Sequence, residues 1–215
     1  MSLKDKLTGK FIVFDGPDGS GKSTQIRLLA DHLRAQGLQV TLARDPGGTA
    51  IGDRIREILL GGDELAKMDV RCETFLFMAS RAQLVGEVIE PALKTGHVVL
   101  CDRFISATCA YQGAAGYDVS RIIELGQYAV SNTWPSLTLI LDVPSEEGMQ
   151  RVGKRCNNVD AMESRPIDYH RNVREQFLQL RSPSAYPGCV EVIDATGSRE
   201  QVFNALLEVL ERVDL

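Results

Sequence analysis

Residues 16–24 read Gly16-Pro17-Asp18-Gly19-Ser20-Gly21-Lys22-Ser23-Thr24, and the first eight satisfy the spacing G-x-x-x-x-G-K-S/T. An apolar run, FIVF at residues 11–14, precedes them and a helix-period pattern begins at Lys22. The motif therefore joins a strand to a helix, the context that gives this spacing its physical meaning. Gly16, Gly19 and Gly21 let backbone amides converge on phosphate oxygens, and the helix that follows adds the positive end of its dipole. Lys22 is then placed to reach the β and γ phosphates, and Ser23 to offer a hydroxyl to magnesium bridging them. The plainer alternative is a Gly-rich turn that binds nothing, against which eight positions in the right context weigh heavily. The same loop serves ATPases, GTPases, motors and small-molecule kinases, so the reaction has to be read from the rest of the chain.

Outward from the loop, further short runs rich in Val, Ile and Leu occur at residues 39–43, 97–101, 137–142 and 190–194, giving five expected strands. None alternates cleanly, as expected of strands buried on both faces. Helical periodicity fills the intervals at residues 22–36, 51–60, 70–94, 120–131, 145–155, 167–181 and 199–212, with Pro91 expected to bend or end the third. This pattern predicts a doubly wound α/β fold: a five-stranded parallel sheet with helices on both faces. No repeat or Pro/Ser-rich linker divides the chain, so residues 1–215 are read as one domain, the stretch 156–166 being the least patterned. Ligands of such sheets sit beyond the carboxyl ends of the strands. Four of the five ends carry distinctive residues: Asp15 with its loop, Arg44-Asp45-Pro46, Asp102-Arg103 and Asp194-Ala195-Thr196. One composite site is expected.

Composition narrows the function. Among 215 residues, 44% are hydrophobic and 25% charged, ordinary globular values that exclude a disordered or fibrous chain. A net charge of -5 excludes a protein that coats polymeric nucleic acid through excess Lys and Arg, so any polyanion site is local. The cysteines at 72, 101, 109, 156 and 189 are odd in number, with no C-x-x-C pair and no metal-ligand spacing to the three histidines; reduced thiols are expected. No N-terminal stretch is apolar enough for a signal peptide or a membrane span, so a cytoplasmic location without a membrane partner is expected.

Arg44, Arg81 and Arg103 lie downstream of the loop, at strand ends or on a helix. Lys22 and magnesium already serve a triphosphate, so three more arginines suggest a second anion in the same crevice. A nucleoside monophosphate fits: its phosphate, with a second pKa of about 6, is largely dianionic near neutrality and attacks without a general base.

Four segments together resemble the thymidylate kinase family, and the resemblance runs from Phe11 to Leu210. They are GPDGSGKST, RDPGGT at residues 44–49, FMASRAQ at 77–83 and DRFISATCAYQG at 102–113. The family's forms of the last three are R-E-P-G-G-T, F-x-A-x-R-x-Q and D-R-Y-x-x-S-x-x-A-Y-Q-G. The resemblance implies magnesium-dependent transfer of the γ-phosphoryl of ATP to dTMP, giving dTDP and ADP in dTTP biosynthesis, by a protein that is usually a homodimer. It implies that Gly16 to Thr24 bind ATP with Arg151 flanking adenine, and that Ser23 and, through water, Asp102 serve magnesium. It gives Asp18 the acceptor sugar's 3'-hydroxyl, and Arg44 and Arg103 its phosphate. Phe77 and Arg81 lie four apart, on one helix face, where the ring would stack on thymine and the guanidinium meet a base carbonyl or the phosphate. Thr108, Tyr111 and Gln112 would close around sugar and base, the tyrosine helping to exclude a 2'-hydroxyl. Catalysis would rest on Lys22, Arg103, Asp18 and Arg155. Taken singly, Phe77 among Phe75, Leu76 and Met78 reads more readily as core and Arg81 as a solvated helix residue, while Asp102-Arg103 reads equally as a strand end and Tyr111 as a core ring with a wet hydroxyl.

Arg151, Lys154 and Arg155 precede the irregular CNNVDAMESRP, which resembles a closing lid, approximately residues 151–166. Asp18-Gly19-Ser20 holds no arginine, so the cation on the transferring phosphoryl would come from that lid, with Arg155 the first choice; a solvated helix end is the alternative. Departures from the family are plain here. Cys156 stands where glycine is common, and Asp160-Ala161-Met162-Glu163 replaces D-R-x-E, leaving one arginine short, for which Arg165 is a substitute. Ala107 stands where serine is usual, between Ser106 and Thr108, and Asp45 replaces a longer glutamate. Two other readings stay open: a different nucleotide or deoxynucleoside kinase, and a nucleotide-binding regulatory protein with a degraded lid.

Overall fold

The computed structural model describes residues 3–61, 68–155, 163, 165–182 and 185–215. Five parallel strands, β1 (Phe11–Asp15), β2 (Val40–Arg44), β3 (Val98–Asp102), β4 (Leu137–Asp142) and β5 (Val190–Asp194), lie in the order β2-β3-β1-β4-β5. Successive residues of β1 are split between two cores. Phe11 and Val13 join Val99, Cys101 and Ile140, while Ile12 and Phe14 join Leu100, Leu139 and Leu141. Burial on both faces is the reason β1, β3 and β4 show no alternation in sequence, whereas β2 and β5, at the sheet edges, are only partly buried and Leu42 is exposed, contrary to the expectation of five buried strands.

The second of these cores is closed by α2 (Lys22–Ala35), through Ile26, Leu29 and Leu33, and by α10 (Arg199–Arg212), through Leu206 and Leu210. Before β1, the short α1 (Leu3–Leu7) adds Leu7. Across the sheet lie α6 (Ile105–Ala114) and α9 (Ile167–Gln179), with Ile105, Cys109, Val173 and Phe177. The α4 helix (Val70–Leu84), a π-helical turn (Val85–Ile89) and α5 (Glu90–Lys94) form one continuous rod on the same side. The set is completed by α3 (Ala50–Leu60), α7 (Val119–Val130) and α8 (Ser145–Arg155). Several helices start where a side chain accepts from an exposed backbone amide: Thr49 from Gly52, Asp69 from Arg71, Asp118 from Ser120, and Ser198 in a capping box with Gln201.

Besides the short α1, which was not expected, two further elements differ from expectation. Pro91 does not end its helix, which continues to Lys94. The π turn before it, in which the Glu90 amide reaches back five residues to Val85 O, opens space for a ring that would otherwise press on the carbonyl four residues earlier. The α6 helix was not predicted. Ile105, Ser106, Thr108, Cys109, Ala110, Tyr111 and Gln112 are all buried, and a helix buried nearly all round has no amphipathic stripe.

The chain leaves β1 toward β2 and leaves β3 toward β4, on opposite faces, so the crevice opens at the carboxyl ends of β1 and β3. Register brings Phe14 and Arg44 level with Asp102. The phosphate loop in turn rests on α8: a Cβ on Gly148 would lie 2.4 Å from Asp18 O, and one on Gly19 would lie 2.0 Å from Gly148 O. A Cβ on Gly153 of the same helix meets no described atom within 4 Å. Replacing a helical glycine by alanine ordinarily gains about 0.5–1 kcal/mol. Thermal denaturation should therefore show Gly153→Ala raising the midpoint and Gly148→Ala lowering it, because the added methyl forces the helix off the loop. Equal gains for both would contradict this packing.

Candidate active site

Two adjoining clefts meet at the crevice and share Asp18, Asp45, Arg56 and Arg103. In the first, Gly21 takes the left-handed conformation at φ 90° and ends the loop, so α2 starts at Lys22. The Lys22 ammonium is buried and donates to Gly16 O at 2.9 Å, Pro17 O at 2.8 Å and Ser20 Oγ at 3.3 Å. Burial, reinforced by the nearby Arg103 charge, pushes its pKa down to about 8 despite Asp18, Asp102 and Asp15. Ser23 Oγ donates to Asp102 Oδ2 at 2.8 Å, a hydroxyl beside a carboxylate. Among the described residues no group of three or more His, Cys, Asp or Glu forms a metal cage. A hard cation completed by phosphate oxygens and water suits such a sparse oxygen pair, and magnesium is the ion of that habit. Gly19, Thr24 and Arg44 line the same cleft; Arg44 is half exposed and bonded to Asp53 at 3.3 Å.

The junction between the clefts is built on Arg103, whose backbone is left-handed at φ 69°, a conformation that costs a non-glycine residue unless its surroundings impose it. Its amide is held by Phe14 O at 2.9 Å. Its Nη2 donates to Asp18 Oδ1 and, at 3.1 Å, to the Tyr111 hydroxyl, which donates to Asp18 Oδ2 at 2.6 Å. The guanidinium also stands 4.9 Å over the Tyr111 ring. Burial alone would raise the Asp18 carboxyl, but Arg103, Lys22 and the Tyr111 hydroxyl bring it below the usual value. Behind Arg103, the fully buried Asp15 lies 3.7 Å from Nη1 and accepts from Ser106 Oγ at 2.6 Å and the Phe104 amide at 3.3 Å. There burial prevails over Arg103 and the Asp15 pKa is raised. Nη1 of Arg103 is buried with no hydrogen-bond partner, an unspent donor beside a cleft, where an anion would satisfy it.

The second cleft is a pocket open to solvent, walled by residues of α3, α4 and α6 and by the phosphate loop. Phe77 is half-buried and lines it, outside both cores. Arg81 is not a solvated helix residue: at 1% exposure its Nε donates to Asp45 Oδ2 at 2.6 Å, and its Nη2 to Phe104 O and Thr108 Oγ1, each at 3.0 Å. The shorter Asp45 thus reaches its partner directly. Burial raises the Asp45 carboxyl against the opposing pull of Arg81. The two hydroxyls beside Ala107 have separate tasks, Ser106 on Asp15 and Thr108 on Arg81, and Ala107 itself lines the cavity. Gln112 lines it too and donates from Nε2 to Glu73 at 3.0 Å.

Arg151 is bound between elements: Nη1 donates to Ala195 O at 3.0 Å and Gly19 O at 3.5 Å, and Nη2 to Glu147 at 2.6 Å. It ties α8 to the phosphate loop and to the end of β5. Arg165 pairs with Glu73 at 3.4 Å and stacks 4.5 Å over Tyr169. The Arg155 side chain and residues Cys156, Asp160, Ala161 and Met162 lie outside the described residues. Sequence reasoning missed Arg56, which lines both clefts and donates to Pro46 O at 3.0 Å, because one arginine among the polar residues of α3 reads as a solvated face. Glu73 and Ser106 were missed as well. Both hold other site residues in place, and one sequence carries no signal for that.

A phosphate loop at the switch point, facing a second cleft across an arginine with a free buried donor, defines a phosphotransferase of the nucleoside monophosphate kinase class. The family model described as thymidylate kinase matches residues 14–206. Thymidylate kinases of Protochlamydia amoebophila and of an Exiguobacterium species are 41% and 42% identical, each over 96% of this chain and over 94% and 97% of their own lengths. A crystal structure of thymidylate kinase from Ehrlichia chaffeensis superposes with a TM-score of 0.76 at 30% identity, over 94% of this chain and 98% of that one. The chain belongs to the thymidylate kinase family. No helix among the described residues is long and apolar enough to cross a membrane.

The lowered Lys22 pKa carries a signed expectation. With a folded value of about 8 against 10.5 for the free group, the unfolded chain holds this proton between those pH values and the folded chain does not, so Lys22's contribution to stability rises with pH across that window. A triphosphate against the ammonium reverses the preference. Binding of ATP near pH 8.5 should take up protons, read by titration calorimetry in buffers of different ionisation enthalpy, and Lys22→Met should abolish most of the uptake. Buffer-independent heats in the unsubstituted protein would contradict the placement of Lys22 on the phosphates.

Proposed function

We propose that this chain transfers the γ-phosphoryl of ATP to dTMP, giving dTDP and ADP, in the cytoplasm and with magnesium. The observation that carries this reading is the Asp18, Arg103 and Tyr111 junction, whose Asp18 and Arg103 line both clefts at once. The loop amides and Lys22 hold the triphosphate, Lys22 exchanging its loop carbonyls for phosphate oxygens. Ser23 and Asp102 hold magnesium, which when bound neutralises charge on the phosphates. Arg103 binds the acceptor phosphate through Nη1 and Asp18 takes the 3'-hydroxyl, a carboxylate with two bonded oxygens still having lone pairs to accept it. Tyr111 packs beneath the deoxyribose, Phe77 stacks on the base, and Arg81, fixed by Asp45 and Thr108, borders it. Arg44 and Arg56 supply further positive charge on the phosphate path. No general base is required, because the attacking phosphate is already an anion.

Release of ADP measured with dTMP, dUMP, dCMP, dGMP, dAMP and thymidine tests the assignment. Turnover should be greatest with dTMP and negligible with thymidine; strong thymidine turnover would indicate a nucleoside kinase, and tight binding of ATP and dTMP without ADP a regulatory protein. Arg155→Ala should lower kcat by about 100-fold or more, the scale of removing one group that stabilises transition-state charge, with little change in KM for dTMP. A rise in KM alone would remove Arg155 from catalysis.

A homodimer is part of this proposal. Ile51 and Ile58 share a face of α3, Phe75 lies on the adjoining α4, and all three are more than half exposed, an apolar area in need of cover. Sedimentation equilibrium should give twice the chain mass, and Phe75→Glu should shift the population to monomer. A monomer at every concentration before substitution would contradict the dimer.

A further inference from the structure

Glu73, Phe77 and Arg81 follow one another at four-residue intervals along α4 and so share a helix face. Phe77 and Arg81 line the acceptor cavity; Glu73, 3% exposed, lies one turn beyond them. Its Oε1 faces Arg165 at 3.4 Å, leaving Oε2 to accept from Gln112 Nε2 at 3.0 Å. A carboxylate only accepts, so the Gln112 side-chain nitrogen must face Glu73 and its oxygen must face away. That oxygen, Oε1, is buried with no hydrogen-bond partner, on a residue that lines the cavity. An unpaired buried acceptor in a cavity wall calls for a donor on the ligand.

We propose that Glu73 is a positioning residue for specificity: by locking the Gln112 amide it makes the cavity select a pyrimidine that carries a proton on N3. This rests on the acceptor reading above. Thymine offers an N3 hydrogen to Gln112 Oε1. Cytosine offers a lone pair at the same place, so oxygen and nitrogen would meet acceptor to acceptor, and turning the amide to repair this would aim Gln112's oxygen at the Glu73 carboxylate. Glu73 thus makes the wrong base costly without touching it, an instance of discrimination by a polar group left unpaired. Arg165 contributes from the other side. Stacked on Tyr169, whose hydroxyl donates to Tyr111 O at 2.8 Å, it keeps Glu73 in place and links the end of the irregular segment to the base site.

The test compares kcat/KM for dTMP and for 5-methyl-dCMP, which keeps the methyl group and changes only the edge facing Gln112. The unsubstituted protein should favour dTMP by at least about 1,000-fold, below the 10⁴–10⁵ seen where a site is built around one polar group. In Glu73→Gln either amide orientation at 112 finds a partner. The preference should fall at least tenfold, mainly through improved KM for 5-methyl-dCMP, a change that loosened packing alone would not produce. An unchanged ratio in a folded variant would overturn the role of Glu73. If the unsubstituted protein phosphorylates neither nucleotide, the acceptor reading fails and the proposal with it. Should Glu73→Gln not fold, the unsubstituted protein supplies the readout: the Gln112 side-chain amide protons, assigned by their loss in Gln112→Met, should keep their NMR shifts when dTMP binds. A large shift on binding would mean that the amide donates into the cavity, contrary to the proposal.

Discussion

Arg103 holds two carboxylates that belong to different parts of the site. Asp15 ends the central strand and Asp18 sits in the phosphate loop; one guanidinium lies against both, with the Tyr111 ring beneath it. The left-handed backbone at Arg103 is what turns the chain from β3 into α6 while keeping the side chain over β1. Losing this side chain would leave the buried Asp15 with only the more distant help of Lys22, and removing the main partner of a buried carboxylate is costly. The loop, the start of α6 and the second cleft therefore meet at one cation, whose Nη1 has no hydrogen-bond partner of its own.

The same economy runs through the acceptor side. Arg81 and Asp45 are both essentially removed from water; Arg81 donates to Asp45 Oδ2, Thr108 and Phe104, while Asp45 Oδ1 has no hydrogen-bond partner. Such a pair adds little to stability compared with an apolar replacement, but it holds a rigid guanidinium where a flexible side chain would have to be ordered on binding. Glu73 and Gln112 repeat the arrangement one layer further from the phosphates. The site is thus preorganised by buried polar pairs, and those pairs require the helices to be in register on the sheet, which the two apolar cores enforce.

The strands and the amphipathic helices were legible in the sequence because burial leaves a mark: short runs rich in Val, Ile, Leu and Phe for β1 to β5, and Ile122, Gly126 and Val130 on one stripe of α7. The α6 helix was not legible as a helix, since nearly every side is buried and no period survives. The phosphate loop was legible because its chemistry is local, backbone amides and Lys22 within nine residues. Arg103, Asp18 and Tyr111 were legible only as parts of a family resemblance. Their contact joins residues 85 and 93 positions apart, a separation that no local pattern reports. Arg165 shows the limit from the other side, since adjacency to the irregular segment suggested the phosphates and the fold carries it to Glu73 instead.

Every proposed role requires the two clefts to form one active site with Arg103 between the substrates. A crystal structure with dTMP bound tests this most directly. The nucleotide phosphate is expected within hydrogen-bond distance of Arg103 Nη1, the 3'-hydroxyl at Asp18 and the base against Phe77. A dTMP phosphate seated in the Gly16 to Thr24 loop, or a base lying away from Phe77 and Gln112, would contradict it.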